Sequence, residues 1–308
     1  MTRGDGVPGY TMRQLAAFIA VAETGTISGA ADTMHLSQSA VSAAVTDLER
    51  ALGAQLCVRR RAHGISLTPT GEAVLGRART LLQQATELQD DATGSTGTVV
   101  GPVAIGCYPA LGPTLLPSMI AGFTSMYPRA SVAFREETQN QLRGALESGQ
   151  LDVAIVYDLD LPPTWRLEPL LRREPMVLLA ADHPLAASGE PVALADLVAE
   201  PMILLDAPPS SNHALGLCRQ AGFTPNVVYR TANFETARAF VGRGLGWTIL
   251  LQRPHFDVTY EGRGVAPRPI RGGDVPAVSV VVAWPAKAVL SRVSRAFVTF
   301  ARDLHRFG

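Results

Sequence analysis

Two short helical patterns joined by a turn lie between residues 31 and 53, and they constrain the fold more than any other feature of the chain. The stretch reads ADTMHLSQSAVSAAVTDLERALG. The apolar residues of the second pattern recur at helical spacing, which predicts a helix with one buried face; they are Val41, Val45, Leu48 and Leu52. Ser37 is suited to cap the start of this helix, and Gly53 is suited to end it. Two further helices are predicted before it, from Met12 to Glu23 and from about Ile27 to Met34.

The polar face of the second helix carries short side chains where Lys and Glu are more usual. Its residues are Gln38, Ser39, Ser42, Thr46 and Glu49. Gln can bond bidentately to adenine, and Ser and Thr can bond base edges or phosphates. By itself this face also fits a solvated helix rich in serine. We interpret it as the recognition helix of a helix-turn-helix spanning about Ile27 to Thr46, with DNA contacts from Ser37, Gln38, Ser39, Ala40, Ser42 and Thr46.

An arginine-rich hairpin is predicted directly after this helix. Residues 57–68 read CVRRRAHGISLT, which indicates two short strands around His63 and Gly64. A hairpin in this position is typical of a wing that reaches DNA phosphates or the minor groove. The residues expected to make these contacts are Arg59, Arg60 and Arg61.

A long helix follows, opened by Thr68 and Pro69 and continuing to about Asp90. Some of its apolar residues recur with coiled-coil spacing; they are Val74, Ala78, Leu81, Ala85 and Leu88. This seam predicts pairing with the same helix of a second chain, while packing against the next domain is the alternative. Two paired winged domains would read a pseudo-palindromic site in double-stranded DNA.

The first ninety residues resemble the LysR-type transcriptional regulators. The resemblance rests on the ordered combination of the AA pair, LSQSAVS, the LE..LG..L pattern, the arginine wing and LTPTG, and it extends more loosely over nearly the entire chain. It implies a periplasmic-binding-protein-like effector domain and assembly from dimer to tetramer. Two positions depart from the family pattern. Ala43 stands where arginine is frequent, which leaves Gln38 and Ser39 as the better candidates for base reading, and Cys57 stands where phenylalanine is common.

The remaining two hundred residues alternate apolar strands with helical patterns, which predicts parallel sheets covered by helices on both faces. The expected fold is therefore an α+β multidomain chain, with a winged helix-turn-helix, a long dimerisation helix and a two-lobed α/β effector domain. The predicted boundaries are 10–69 for the winged domain, 70–91 for the linker helix, 92–98 for a Gly-rich hinge and 99–308 for the effector domain. Lobe I takes about 99–171 and 274–308, and lobe II takes about 172–273.

Ligands in open α/β sheets bind beyond the carboxyl ends of strands, near the starts of helices. The residues at these positions are the expected lining of an effector cleft: Cys107, Tyr108, Pro109, Thr138, Gln139, Asp206, Asn233 and Phe234. Tyr108 and Phe234 could sandwich an aromatic group, while free amides at helix starts would favour an anion. The predicted effector is therefore an anionic or aromatic small molecule. Each of these side chains could instead cap a helix or pack between the lobes.

Composition argues against several other classes of protein. The 27 basic and 27 acidic residues balance, so any DNA contact must come from a local patch. The spacing of the three cysteines and six histidines predicts no metal site and no cofactor. No run of residues is apolar enough to span a membrane, which predicts a cytoplasmic protein.

Together these patterns predict a sequence-specific DNA-binding transcriptional regulator that is controlled by a small molecule in the cleft between the lobes. Two alternatives remain open. A regulator that senses thiol oxidation would use Cys107 or Cys218. An α/β enzyme is the more remote alternative. The glycines of VGRGLGW end a helix and precede a strand, which is the wrong order for a dinucleotide loop, and the sequence offers no other catalytic motif.

Overall fold

The computed structural model describes residues 7–60, 64–92, 99–272 and 275–306. Its N-terminal domain begins with three helices, and each helix starts where the sequence supplies a capping side chain. The Oγ atoms of Thr11, Thr26 and Ser37 accept hydrogen bonds from backbone amides three residues later. The three helices are α1 (Met12–Thr24), α2 (Ile27–Met34) and α3 (Gln38–Leu52). Their bounds agree with the predicted ones to within a residue.

The three helices enclose a small apolar core. The predicted apolar face of α3 lies in it, with Val41 and Leu48 fully buried against α1. Removing such side chains from water is the main stabilising contribution available to a domain of this size. The other fully or almost fully buried residues of this core include Leu15, Ala17, Phe18, Val21, Ala30 and Leu56.

The predicted wing is an antiparallel pair of strands, β1 (Cys57–Arg60) and β2 (Gly64–Leu67). The Glu49 carboxylate accepts hydrogen bonds from the backbone amides of Leu56 and Cys57, at 2.7 and 2.9 Å. These bonds join the end of α3 to the start of the wing. Glu49 lies on the polar face of α3, as the sequence pattern predicts, but its carboxylate is used inside the domain.

Helix α4 (Pro69–Ala92) packs against the winged domain near its start and against the effector domain further along. Leu75 and Ala78 are buried in the winged core. Gly76, on another face, lies against the backbone of Gly149 in the effector domain. Ala78 was expected in an intermolecular seam. It is only 1% exposed because its own domain covers it, so in this conformation it cannot contact a second chain.

Lobe I is built on a five-stranded sheet with the order β4-β3-β5-β13-β6. The first three of these strands are parallel, and β13 runs antiparallel to both β5 and β6. Helix α10 returns to this lobe at the end of the chain, where Phe297 packs edge-on against Phe123 with 5.2 Å between ring centroids. The elements are β3 (Gly101–Cys107), α5 (Gly112–Met126), β4 (Ala130–Glu136), α6 (Gln139–Glu147), β5 (Val153–Tyr157), β6 (Trp165–Arg173), β13 (Val278–Pro285) and α10 (Arg292–Arg306).

Lobe II contains a parallel pair, β10-β9, and a four-stranded sheet with the order β11-β7-β12-β8. A bridge between Met202 and Trp247 joins the two sheets. The elements are β7 (Met176–Ala180), α7 (Pro184–Ala187), β8 (Val192–Ala193), a 3₁₀ turn (Leu194–Leu197), β9 (Pro201–Leu205), α8 (Ser210–Gln220), β10 (Asn226–Thr231), α9 (Phe234–Gly242), β11 (Thr248–Leu250) and β12 (Val265–Arg271).

The prediction of parallel sheets holds only in part, because both lobes contain parallel and antiparallel strand pairs. The chain crosses between the lobes as strands, so β6 and β13 run side by side in opposite directions, as do β7 and β12. The sequence pattern missed β6 and β12. Both strands carry proline and arginine, and neither forms a continuous apolar run. The domain limits proposed from the sequence stay a prediction, and residues 93–98 of the proposed hinge lie outside the described residues.

Within the described ranges, no helix combines the length and the apolar character needed to cross a membrane. In the same part of the chain, His, Cys, Asp and Glu side chains do not come together in a group that could hold a metal ion.

The contact between α4 and lobe I can be tested at Gly76. In Gly76→Ala the new methyl group would overlap the backbone of Ser148 and Gly149, so the helix must move. We expect a loss of about 1–3 kcal/mol in the free energy of unfolding, together with a larger radius of gyration by small-angle scattering. Gly144→Ala is the matched control, because its methyl group would enter open space on α6. Equal stability and equal size for the two variants would contradict the described packing.

Candidate nucleic-acid interface and ligand cleft

The N-terminal part of α3 presents a small polar surface to solvent. Ser37, Gln38, Ser39 and Ala40 are exposed, and so is Thr46 further along the helix, while Ser42 is half-buried. The Ser37 hydroxyl accepts a hydrogen bond from the amide of Ala40 at 3.2 Å and lies 3.0 Å from the Ser39 hydroxyl. The exposed side chains of this surface are therefore accessible to another molecule, and the cap stabilises the first turn.

The charged residues at the far end of α3 are occupied within the domain. Arg50 pairs with Asp47 at 2.6 Å, and Glu49 holds the start of the wing. Positive charge for a nucleic acid would then come from the wing, where strand β1 includes Arg59 and Arg60. The structure describes only the backbone at these two positions, and Arg61 lies outside the described residues.

A cavity of about 770 Å³ lies between the two lobes. Four of the residues predicted from strand ends line it: Tyr108, Pro109, Asn233 and Phe234. Asn233 also caps α9, because its Oδ1 accepts a hydrogen bond from the amide of Thr236 at 2.9 Å. A volume of this size is in the range of small-molecule sites.

Tyr108 spans the lobes. Its side chain is 1% exposed. Its hydroxyl donates a hydrogen bond to the Ala207 carbonyl of lobe II at 2.7 Å and lies 3.0 Å from the Ser210 Oγ. Burial raises the pKa of the Tyr108 hydroxyl, so it remains a donor at neutral pH. Tyr108 thus both lines the cavity and fastens one lobe to the other.

The other four predicted lining residues do not belong to the described wall of this cavity, which corrects their assignment. Cys107 is fully buried in the lobe I core. Thr138 caps α6 together with Gln141, and the buried Gln139 donates a hydrogen bond to the Leu159 carbonyl. Asp206 pairs with Arg230 at 3.4 Å. All four lie at or just after the end of a strand, but their side chains are buried in a core, cap a helix or form a surface ion pair.

The cavity is also lined by residues that the sequence pattern missed. They include Thr114, Arg238, Gln252, His255, Phe256 and Tyr260. Gln252 could have been found with the same strand-end rule, because it follows the predicted strand WTILL. Arg238 carries no such signal, since it lies inside α9 and reaches the cavity from the helix flank.

The three cysteine thiols are poorly suited to redox chemistry. Burial raises the pKa of the Cys107 thiol well above its usual range, and the nearby Glu136 carboxylate adds to this shift. Burial also raises the pKa of Cys218 to about 11. Burial, with a smaller contribution from Glu49, raises the pKa of Cys57 to about 11. All three thiols are therefore protonated at neutral pH, and a thiol reacts far more slowly than a thiolate.

Comparison with known proteins matches both halves of the chain. Residues 12–72 match the family described as bacterial regulatory helix-turn-helix protein, lysR family. Residues 96–306 match the LysR substrate binding domain. Together these matches cover the winged domain, the start of α4 and both lobes.

Individual relatives are also transcriptional regulators. The DNA-binding transcriptional dual regulator OxyR of Escherichia coli is 32% identical over 240 residues, which are 78% of this chain and 78% of that protein. The C-terminal domain of a probable LysR family regulator from Rhodococcus sp. RHA1 is 67% identical, with a TM-score of 0.65, and covers 66% of this chain and 99% of its own. HinK of Pseudomonas aeruginosa, a LysR family transcriptional regulator, is 34% identical with a TM-score of 0.63 and covers 96% of this chain and 98% of its own.

The burial of the thiols predicts slow alkylation of the native chain. With a pKa of about 11 for Cys218, its thiolate fraction at neutral pH is roughly 300-fold smaller than that of a free cysteine. We expect Cys107 and Cys218 to resist iodoacetamide in the native protein, as followed by peptide mass spectrometry. The same reaction in guanidinium chloride, where all three thiols are exposed, is the control. Native-state alkylation of either residue at the rate of the unfolded chain would contradict this description.

Proposed function

Because the chain belongs to the LysR family of bacterial transcriptional regulators, we propose that its α3 surface and its wing read a specific DNA site under the control of a small molecule bound between the lobes. The observation that carries the proposal is the exposed polar surface from Ser37 to Thr46. The Ser37 cap stabilises the start of α3, and the Glu49 carboxylate joins the end of α3 to the wing. We assign no catalytic residue, since the relatives are regulators, and we expect the protein to act in the cytoplasm, on the chromosome.

Base reading is assigned to the first turns of α3. The Gln38 amide can form two hydrogen bonds with an adenine edge, and the Ser39 hydroxyl can bond a base or a phosphate. Ala40 is small enough to let the helix approach the bases. Thr46 already donates its hydroxyl proton to the Ser42 carbonyl at 2.9 Å, so it would offer DNA a methyl group and an acceptor. Phosphate contacts are assigned to the wing arginines Arg59, Arg60 and Arg61.

The effector is assigned to the cavity between the lobes. Tyr108 and Gln252 support this assignment because each hydrogen-bonds across the cavity from one lobe to the other, Tyr108 to Ala207 and Gln252 to Thr114. A ligand that changes these bonds changes the relative position of the lobes. Control of DNA binding then requires only that the ligand prefer one arrangement over the other.

Pairing of two chains is assigned to the distal half of the α4 seam. Leu88 is 71% exposed and Leu81 is 36% exposed, which is unusual for leucines on one helix face. Ala85 is half-buried between them. Two chains joined along this face would place two recognition helices for a two-fold symmetric site about one turn of DNA apart, or a small multiple of that. Association of two such dimers is the tetramer that the family resemblance implies.

The thiol-sensing alternative has support from the similarity of this chain to OxyR and to proteins named hydrogen peroxide-inducible genes activators. The burial and raised pKa of Cys107 and Cys218 argue against it for this chain. We therefore favour control by a bound metabolite.

Base reading by α3 can be separated from phosphate binding. We expect Gln38→Ala to weaken binding to the preferred site by about 1–3 kcal/mol and to leave random DNA unaffected. Arg60→Ala should weaken binding to the preferred site and to random DNA alike, and it should reduce the dependence of the binding constant on salt concentration. The preferred site is first selected from a pool of random duplexes, and affinities are measured by fluorescence anisotropy. Gln89→Ala, the same truncation on the exposed surface of α4, is the control. Equal loss on both DNAs for Gln38→Ala would remove Gln38 as a base reader.

The pairing surface can be tested at Leu88. A carboxylate at this position in a paired seam would be buried without a counter-charge, which is strongly unfavourable. We expect Leu88→Asp, and likewise Leu81→Asp, to give monomers by light scattering. Gln89→Asp adds the same charge at the adjacent exposed position and should leave the oligomer intact. An unchanged oligomer in both leucine variants would place the seam elsewhere.

A further inference from the structure

The one arginine among the described lining residues of the cleft cavity is already neutralised. Arg238 is 4% exposed. Its guanidinium pairs with Glu235 at 2.5 Å and donates to the carbonyls of Phe256 and Val258 at 3.0 and 3.1 Å. Arg253, on the same rim, pairs with Asp257 at 3.0 Å and does not line the cavity. A ligand carboxylate would have to displace one of these partners to gain a counter-charge.

Other polar side chains of the cavity wall also form hydrogen bonds within the protein. The Glu235 carboxylate also accepts a hydrogen bond from the amide of Tyr260 at 2.7 Å. Gln252 donates to the Thr114 hydroxyl and accepts from the Arg173 guanidinium, at 3.1 Å for the second bond. The Tyr108 hydroxyl donates to the Ala207 carbonyl. These particular donors are thus already used within the protein.

The starts of the helices at the cleft are equally unsuited to an anion. At the start of α5, Pro109 and Pro113 have no amide proton, and the Leu111 and Thr114 amides donate to the carbonyls of Tyr108 and Leu111. The Glu136 carboxylate also lies against Gly112, so this helix terminus already has a negative charge beside it. At α9, Glu235 occupies the first turn.

The wall of the cavity is rich in aromatic and proline side chains. Tyr108 and Phe234 lie inside, while Phe256 and Tyr260, which are 78% and 91% exposed, stand at the rim. Aromatic rings attract planar apolar groups, and their faces attract cations. The carboxylate of Glu136, for which no ion pair is found among the described residues, adds negative potential near the α5 terminus.

From these contacts we infer that the effector carries no negative charge: the cleft takes an uncharged or cationic aromatic compound. This inference rests on the proposed function, since it concerns the same cleft. It replaces the broader expectation of an anionic or aromatic ligand with a narrower class. It also assigns a specificity role to Glu235, which occupies the Arg238 guanidinium that an anion would need, and to Glu136, whose negative charge lies beside Gly112 at the start of α5.

Three indole compounds of nearly the same shape test the inference on the full-length chain. Tryptophol is neutral, tryptamine is a cation and indole-3-acetate is an anion. Binding is measured by calorimetry at about pH 8, where the tryptamine amine is protonated and the indole-3-acetate carboxyl is ionised. We expect saturable binding of tryptophol or tryptamine, with indole-3-acetate at least about tenfold weaker because like charges and unpaired burial oppose it. Tighter binding of indole-3-acetate, or no binding of the other two at millimolar concentration, would overturn the inference.

Two variants change the charge of the protein while the shape of the ligand stays the same. Glu136→Gln removes an exposed charge, and Glu235→Gln frees the Arg238 guanidinium while keeping an acceptor for the Tyr260 amide. We expect either variant to improve indole-3-acetate binding by roughly two- to fivefold, the size of a helix-terminus charge interaction, and to leave tryptophol binding unchanged. Glu190→Gln, on an exposed loop of lobe II, is the matched control. Equal indole-3-acetate affinity in wild type, both variants and the control would contradict the assigned role.

Operator binding is measured by anisotropy on the same samples. Preference for indole-3-acetate with normal sequence-specific DNA binding would overturn the charge inference and leave the proposed function in place. Loss of any preference for the selected DNA site in the wild-type chain would overturn the proposed function, whatever the three compounds do.

Discussion

Helix α4 is packed against two domains at once, and the rest of the account depends on this arrangement. Leu75 and Ala78 are part of the winged core, while Gly76 lies against the backbone of Gly149 in lobe I. Further along, the Glu87 carboxylate accepts a hydrogen bond from the Arg292 amide at the start of α10. Helix α4 is therefore tied to the winged domain and to lobe I. We expect a shift of lobe I to change the position of the winged domain through this helix.

Local signals in the sequence predicted the winged domain well. The caps at Thr26 and Ser37 and the left-handed stop at Gly53 are decided by a few neighbouring residues, so the bounds of α2 and α3 follow from the sequence alone. The sheets are decided by distant partners. Strand β6 contains Glu168, Pro169 and two terminal arginines, and it forms only because β13 pairs with it from more than a hundred residues away. A local sequence pattern does not predict such a strand.

The sequence predicted where the cleft lies and some of its lining residues. It did not predict which charged groups of the cleft are neutralised by other groups of the protein. The strand-end rule placed Tyr108 and Phe234 at the cavity. It failed for Cys107 and Asp206, because which strand ends face the opposite lobe is a property of the assembled fold. The spacing of Glu235 and Arg238, three residues apart on a helix, favours an ion pair. The carbonyls of Phe256 and Val258, which take the remaining guanidinium protons, come from a loop whose path the sequence does not reveal.

Coupling through α4 is tested most directly by amide hydrogen exchange on the intact chain, with and without the selected operator. Because binding linkage is reciprocal, DNA held by α3 should alter exchange in lobe I where α4 touches it. We predict changed exchange at the Arg292 amide and around Gly149, along with protection of α3 itself. Protection confined to the winged domain, with exchange at both lobe I positions unaltered, would contradict the account.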